Sequence, residues 1–536
     1  MTNRPHTTFR SSMGWVHTWA GVIFGALMFT VFWMGTLTVF DKEIDRWMQP
    51  ETRLQSLERP VDIDALVERL ALNDPAQSDA TYVYIGLPNE RMRHARTFVS
   101  RVNGDADWAR LTPATGAHLA EPVSHGASDF FFPMHFRLLI PGNLGWWLVM
   151  VAALGMILLI VTGVIIHRKI FAEFFTFRPK KKLRRSSLDL HNLSGVVFLP
   201  FHFMIAFSGL MTFSGQYGAL FWEALPGTKA AEVAEFVYEA DNYGWYERDA
   251  VGQSAAMVSI APLLREAETI WSRRYSQKAV ADTLYIINYG DVAAYMMVKR
   301  LYPKRRTEMD QDSIAFDLAT GEILKDYAPG PVRRAQRWLS GLHFIQFEHW
   351  PLRWLYFIGG LAGCVMIATG FLFWMRARIG RDGTEPFKVR MIRGLTAGAT
   401  TGMIVATGAF LVANRILPRE AEWSGIARAD LEVWFFFAVW IGTLLHAGLR
   451  NKSAWTDHAA AIGALAVSAV ILNGVTTGDH LVSTIGNGHW AVAGVDLVLL
   501  ATALISIVAI ARLRKTERLY YNRQGGRPQR EAAQLS

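Results

Sequence analysis

The chain has 536 residues, of which 51% are hydrophobic, 12% aromatic and 19% charged, against about 25% charged in an average soluble protein. Mean hydropathy is +0.16, low for a chain wholly in lipid and high for one wholly in water, so disorder, a collagen-like fibre and an ordinary cytosolic enzyme all fit poorly. The single cysteine, Cys364, lies in an apolar run and excludes a disulfide framework, a thiolate metal site and an iron–sulfur cluster.

Eight runs have the length and apolarity of transmembrane helices, which need about 20 residues. They are Trp19–Phe40, Leu144–Ile166, Leu193–Phe213, Trp354–Met375, Gly394–Ala413, Val433–Leu449, Ala459–Val475 and Ala491–Ala511. The sixth and seventh are short, and the eighth carries Asp496. A signal peptide is the alternative for the first run. That run is too long for an apolar signal core and is followed by Asp41-Lys42-Glu43, not by a small-residue cleavage site.

Basic residues set the orientation. With the N-terminus inside, the inner side holds Arg4, Arg10, eight basic residues in 167–192, six in 376–393, Arg450, Lys452 and seven after Ala511. The short outer loop 476–490 has none. The net charge of +9 is thus a topology signal that needs no nucleic-acid partner, and the run 180–185 is a stop signal that can touch anionic lipid. The chain divides into 1–40, 41–143, 144–213, 214–353, 354–376, 394–511 and a basic tail 512–536.

Segments 41–143 and 214–353 then fall outside, with mixed soluble composition. Each offers an amphipathic helix (Ile63–Leu72, Ile260–Trp271) followed by strand-like runs: Thr81–Leu87 and Thr97–Val102, then Thr283–Asn288 and Ala293–Val298. Two small α+β domains are expected. Each segment also carries an Ala-Thr-Gly turn, at 114–116 and 319–321.

The matching turns belong to a longer self-similarity. His17 is followed by Gly21 and Gly35, and His191 by Gly195 and Gly209, at the same spacings. His135-Phe136 precedes Thr162-Gly163 much as His343-Phe344 precedes Thr369-Gly370. Residues 13–168 and 187–376 therefore read as two copies of one unit, both starting inside, an internal parallel repeat. The fold class expected is an α-helical polytopic membrane protein of about eight spans with two outer α+β domains.

The histidines carry the chemistry. His17, His167 and His191 sit at inner span ends, His202 lies inside the third span, and His135 and His343 occupy equivalent places outside the second and fourth. An ionisable residue within a span is costly and points to function, although interfacial histidines also cap helices or snorkel. His191 and His202 are eleven residues apart, so on one straight helix they share a face about 16 Å apart along the axis. That suits a helix ligating two haems at two depths. Pro200 would bend or loosen it there. No Cys-x-x-Cys-His occurs, so any haem is b-type. A closed zinc site fits less well, because the histidines split into two groups and the spans concerned lack acidic partners. Gly21, Gly35, Gly195, Gly209, Gly363 and Gly370 either admit a macrocycle or serve close helix packing. Pairing stays open. The repeat favours His17 with His191 and His135 with His343, while depth also allows His167 with His191, or His202 with His135 or His343. Arg137, Arg333 and Arg334 could meet haem propionates or an anionic chelate, or simply anchor at the interface.

The His17…Gly21 and His191-Asn192-Leu193-Ser194-Gly195 openings, the Ala-Thr-Gly turns and the His343-Phe344…Thr369-Gly370…Arg376 closing resemble the PepSY-associated transmembrane proteins over roughly residues 13–378. These are iron-regulated bacterial inner-membrane proteins that include ferrisiderophore reductases. The resemblance implies histidine-ligated b-type haem, two PepSY-like periplasmic domains, and reduction of a ferric siderophore or other ferric chelate outside. Spans five to eight go beyond the compact form, and Asp496, His446 and His458 there carry no implied role. No flavin or nicotinamide domain follows the last span, so a separate donor, quinol or a cytoplasmic reductase, is expected. Two rival readings are a transporter or channel with a histidine proton relay and a membrane-anchored PepSY module that binds peptides or restrains a protease.

Overall fold

The computed structural model describes residues 8–54, 62–70, 80–167, 178, 183–213, 244–301, 309, 312–345, 347–379, 386–450 and 453–525. In chain order the helices used below are α1 (Phe9–Thr38), α2 (Asp41–Met48), α3 (Ile63–Leu70), α4 (Phe131–Arg137), α5 (Leu144–Ile166), α6 (Leu183–Val197), α7 (Leu199–Thr212), α8 (Ile260–Tyr275), α9 (Pro331–Phe344), α10 (Trp350–Arg376), α11 (Phe387–Ala399), α12 (Thr401–Ile416), α13 (Arg428–Arg450), α14 (Ala454–Thr477), α15 (Leu481–Gly486) and α16 (Trp490–Gly525). The strands are β1 (Ala80–Gly86), β2 (Ala95–Arg101), β3 (Ala106–Leu111), β4 (Ala281–Ile287), β5 (Tyr295–Arg300), β6 (Ser313–Asp317) and β7 (Ile323–Tyr327).

Seven helices among the described residues are long and apolar enough to cross a bilayer, or eight if α6 and α7 form one bent span. The protein is a polytopic helical membrane protein. The third expected span is not a straight helix. It breaks at Phe198 and bends by 64°, so the straight-helix geometry expected for His191 and His202 does not hold. Pro200 stands in the first turn of α7, where a missing N–H costs nothing but the preceding turn cannot continue unbroken.

The chain folds as two units. One comprises Met1–Pro50, Val123–Phe203 and Tyr356–Ser536, and the other Glu51–Pro122 and Met204–Leu355. In the second unit the two α+β segments are not separate domains but share one seven-stranded sheet of order β3-β2-β1-β4-β5-β6-β7. The junction is antiparallel, running from Tyr82 opposite Ile287 to Gly86 opposite Thr283. Alone, β1 and β4 would each present an edge of unpaired backbone groups, and pairing them removes both edges. One sheet face buries Val83, Ile85, Leu284, Ile286, Met296 and Phe316 against Leu66 of α3 and Trp271 of α8. The halves are also stitched by Asp64, which accepts from the Ile260 N–H at 2.6 Å and the Ser259 hydroxyl at 2.8 Å at the start of α8, completing its N-terminal orphan donors.

The two Ala-Thr-Gly turns have one form. Gly116 N–H donates to the Thr112 carbonyl and Gly321 N–H to that of Asp317, both at 2.9 Å, and both glycines have positive φ, 62° and 81°. In the second turn Asp317 accepts from Ala319 and Thr320 N–H and from Arg248. Burial acts to raise its carboxyl pKa, but the Thr320 N–H, the Arg248 guanidinium and the Ala319 N–H outweigh it and hold Asp317 below the ordinary carboxylate range. A depressed folded-state pKa contributes stability that is complete above the unfolded value, about 3.9, and is lost as pH falls through the folded one. Asp317→Asn should therefore flatten the loss of thermal stability below about pH 4; an acid limb identical to wild type would count against this.

Helices α12, α13, α14 and α16 carry buried polar and ionic groups that grip the chain around α2 and α4. Asp496 is fully buried and accepts from the Trp47 indole at 2.7 Å and the Asn473 amide at 3.4 Å. Arg415 stacks over Trp47 at 4.4 Å and donates to its carbonyl. Glu432 accepts from Arg428 at 2.6 Å, Asn414 at 2.9 Å and the Ser124 hydroxyl at 2.5 Å. The Ser124 carbonyl in turn accepts from Gln49 at 2.8 Å.

Candidate functional site

A recurring contact organises the histidines. In an α-helix the carbonyl of residue i already bonds the N–H of residue i+4. Its second lone pair is open to a neighbour only where the side chain at i+4 is minimal. The His135 imidazole donates through Nδ1–H to the Val31 carbonyl at 2.8 Å, and the residue four on is Gly35. His343 does the same to Ile205 at 2.9 Å, four before Gly209, and His191 to Met366 at 2.8 Å, four before Gly370. His17 sits against Gly163 in the same way, its Nδ1 3.1 Å from the hydroxyl of the neighbouring Thr162, whose own proton goes to the Leu158 carbonyl and which therefore accepts from His17. A Cβ at Gly35 or Gly209 would sit 2.7 Å from the imidazole, and one at Gly163 or Gly370 3.3 Å from it. The glycines are therefore seats for imidazoles from other helices. A glycine-to-alanine change in a helix gains about 1 kcal/mol where space is free, and displacing a packed ring costs about 1–3 kcal/mol. Gly21→Ala, whose nearest neighbour would be 3.9 Å away, should thus melt above Gly35→Ala in detergent. The opposite order would refute the seat.

The chemistry follows from the carbonyl, which can only accept. Each Nδ1 must then be protonated, leaving each Nε2 as the lone-pair nitrogen, the tautomer that a ligating imidazole needs. His202 is the inverse case. It is buried among Phe32, Phe198 and Phe201, and its Nε2 is the atom bonded to a carbonyl, that of Gly359 at 3.3 Å, four before Gly363. His167 also differs, since its Nε2 is 3.2 Å from the Asn192 amide.

His17, His167, His191 and His202 line one cavity of about 620 Å³ in the helical unit, with Gly21, Gly163, Gly195 and Gly370 in its wall. The rings of His17 and His191 have centroids 6.3 Å apart. Both rings border the same cavity, and each has its Nδ1 engaged by another helix. The donor set and the mostly apolar wall fit a b-type haem. Sequence reading missed the two arginines that line it, Arg10 and Arg378. Arg10 donates to the Ile166 carbonyl at 3.0 Å, and Arg378 stacks on Trp374 at 4.1 Å. The signal for Arg10 was its place seven residues before His17, two turns along the same helix face. Arg137, Arg333 and Arg334 do not line this cavity. Arg137 is exposed and stacks on Phe136 at 5.6 Å, Arg333 donates to Gln336 at 2.6 Å, and Arg334 donates to the Pro329 carbonyl at 2.9 Å.

Comparison with known proteins bears on the same stretch of chain. A profile of the PepSY-associated TM region matches residues 14–377, which contain all six histidines discussed here and end before α11. A Pseudomonas aeruginosa protein named only as uncharacterized is 25% identical over 400 residues, covering 71% of this chain and 93% of its own length. Because the profile spans well over half of the sequence, the chain belongs to the PepSY-associated transmembrane family.

Proposed function

We propose that this protein carries single electrons across the bacterial inner membrane on b-type haem and reduces a ferric siderophore or similar ferric chelate at the outer side. The observation that supports this best is the His17–His191 pair, whose Nδ1 atoms are anchored to other helices and whose ring centroids stand 6.3 Å apart, nearly perpendicular, on a shared cavity. A b-type haem bound there would supply one-electron chemistry. Around it His17 and His191 would be the ligands, Gly163 and Gly370 their seats, and Arg10 and Arg378 the partners of the anionic propionates. The anchoring bonds fix each imidazole's tautomer and direction, and the apolar wall excludes water. His135 and His343 are held through Nδ1 in the same way, each within its own unit. At the substrate, the ferric ion takes up one electron, its lower charge weakens the bonds to hard oxygen donors, and ferrous iron leaves for uptake. The electron comes from a separate donor, quinol or a cytoplasmic reductase.

The test is a reduced-minus-oxidised spectrum of the purified protein, followed by anaerobic reduction and addition of a ferric siderophore with a ferrous trap. A b-type spectrum that reoxidises while trapped ferrous iron accumulates supports the proposal. Absence of the spectrum, or a reduced protein that never passes its electron to ferric chelates, removes it. Orientation has its own check. A reporter enzyme fused after Ala250 should score as periplasmic and one fused after Arg523 as cytoplasmic; the reverse would invert the electron direction.

A further inference from the structure

Alternate residues of each strand point away from the core, and on the sheet face opposite α3 and α8 they form two ordered rows. Cross-strand partners place Trp108, Phe98, Tyr84, Tyr285 and Met297 side by side across β3, β2, β1, β4 and β5. The next row, two residues along each strand, is Arg110, Arg96, Gly86, Thr283 and Lys299. The rings of the first row touch. Trp108 and Phe98 have centroids 4.7 Å apart, Tyr84 and Tyr285 5.5 Å, and Trp245 joins from the side at 4.9 Å from Tyr285. The Lys299 ammonium lies 4.9 Å over the Tyr285 ring and 5.4 Å over that of Trp245. Trp108 is 64% exposed, and the Arg96 Nε is buried without a hydrogen-bond acceptor. Asp282, held by the Thr283 hydroxyl at 3.0 Å, is a carboxylate beside Arg96 and Lys299, and Arg337 stands beside Lys299 as a further cation.

A row of π faces next to a row of positive charge selects for a ligand with both aromatic rings and net negative charge. We propose that this face recognises an aromatic, polyanionic chelate of a trivalent metal, its catecholate or phenolate rings stacking on the aromatic row and its charge held by Arg96, Arg110 and Lys299. The choice of a metal chelate as the aromatic anion rests on the proposed function, whereas the pattern of rings and charges does not. A neutral chelate built from aliphatic hydroxamates offers neither a ring nor a charge and should be discriminated against.

Gallium(III) separates binding from redox, since it takes the place of ferric iron but accepts no electron. Titration of the full-length protein in detergent with gallium(III) tris-catecholate, a trianion, should show binding about tenfold tighter than with neutral gallium(III) tris-acetohydroxamate, the effect of one good aromatic contact. Trp108→Ala should weaken catecholate binding by about as much, with Trp108→Phe largely restoring it. Arg96→Gln should weaken it and reduce its salt dependence. Equal affinity for the two complexes, or wild-type affinity in both Trp108→Ala and Arg96→Gln, would overturn the inference. Ring-dependent gallium binding in a protein without a haem spectrum would leave this surface standing and remove the electron-transfer reading. Ferric reduction with gallium binding indifferent to these residues would remove the surface alone.

Discussion

His191→Ala should lower the b-haem content proposed above by about half per polypeptide, because loss of a ligating imidazole releases a haem and two are expected. The structure makes the prediction specific among neighbouring histidines. His17 and His191 each commit Nδ1 to another helix and keep Nε2 for a ligand. His202 commits its Nε2 to the Gly359 carbonyl, and the Nε2 of His167 meets Asn192. His17→Ala should therefore match His191→Ala, while His167→Ala and His202→Ala keep most of the haem. Pyridine haemochrome assay of the four purified variants reads this directly. Full haem in His191→Ala, or loss confined to His202→Ala, would remove the assignment.

The second large effect concerns stability. Glu432→Ala should destabilise the protein by about 3–5 kcal/mol, the usual consequence of stripping one partner from a buried ion pair. The Glu432 side chain is fully buried and meets Arg428 at 2.6 Å, itself 8% exposed. Removing the carboxylate leaves that guanidinium desolvated and also frees the Asn414 amide and the Ser124 hydroxyl. Glu432→Gln keeps an acceptor for Arg428 and should cost less. Thermal unfolding in detergent and membrane yield measure both. An alanine variant that melts with wild type would show that the network is not a grip on the segment around Ser124.

Much of the architecture was legible in the chain because single segments encode it. Apolar runs of span length announce their helices, since the bilayer core demands about 20 such residues in succession. Alternation showed the strands around Tyr82, Phe98, Tyr285 and Met297. It failed for Ala106–Leu111 and Ile323–Tyr327, whose exposed, polar edge positions carry little period, and for Ser313–Asp317, which is buried at every position. The matched spacings of His17–Gly35 and His191–Gly209 were visible too, and with them the chemistry that six placed imidazoles suggest.

What each histidine touches was decided by the tertiary structure alone. Gly35 receives His135 and Gly209 receives His343, contacts between residues 100 or more positions apart that no local pattern can register. The same holds for the joining of two half-sheets through β1 and β4, and for Asp496, a costly charge in an apolar run until Trp47 and Asn473 close around it. Local sequence determines which segments must leave water and which residue types they carry. The choice of partner for each carbonyl, ring and charge is a competition among distant groups, settled only when the helices pack and every buried polar atom has to be satisfied at once.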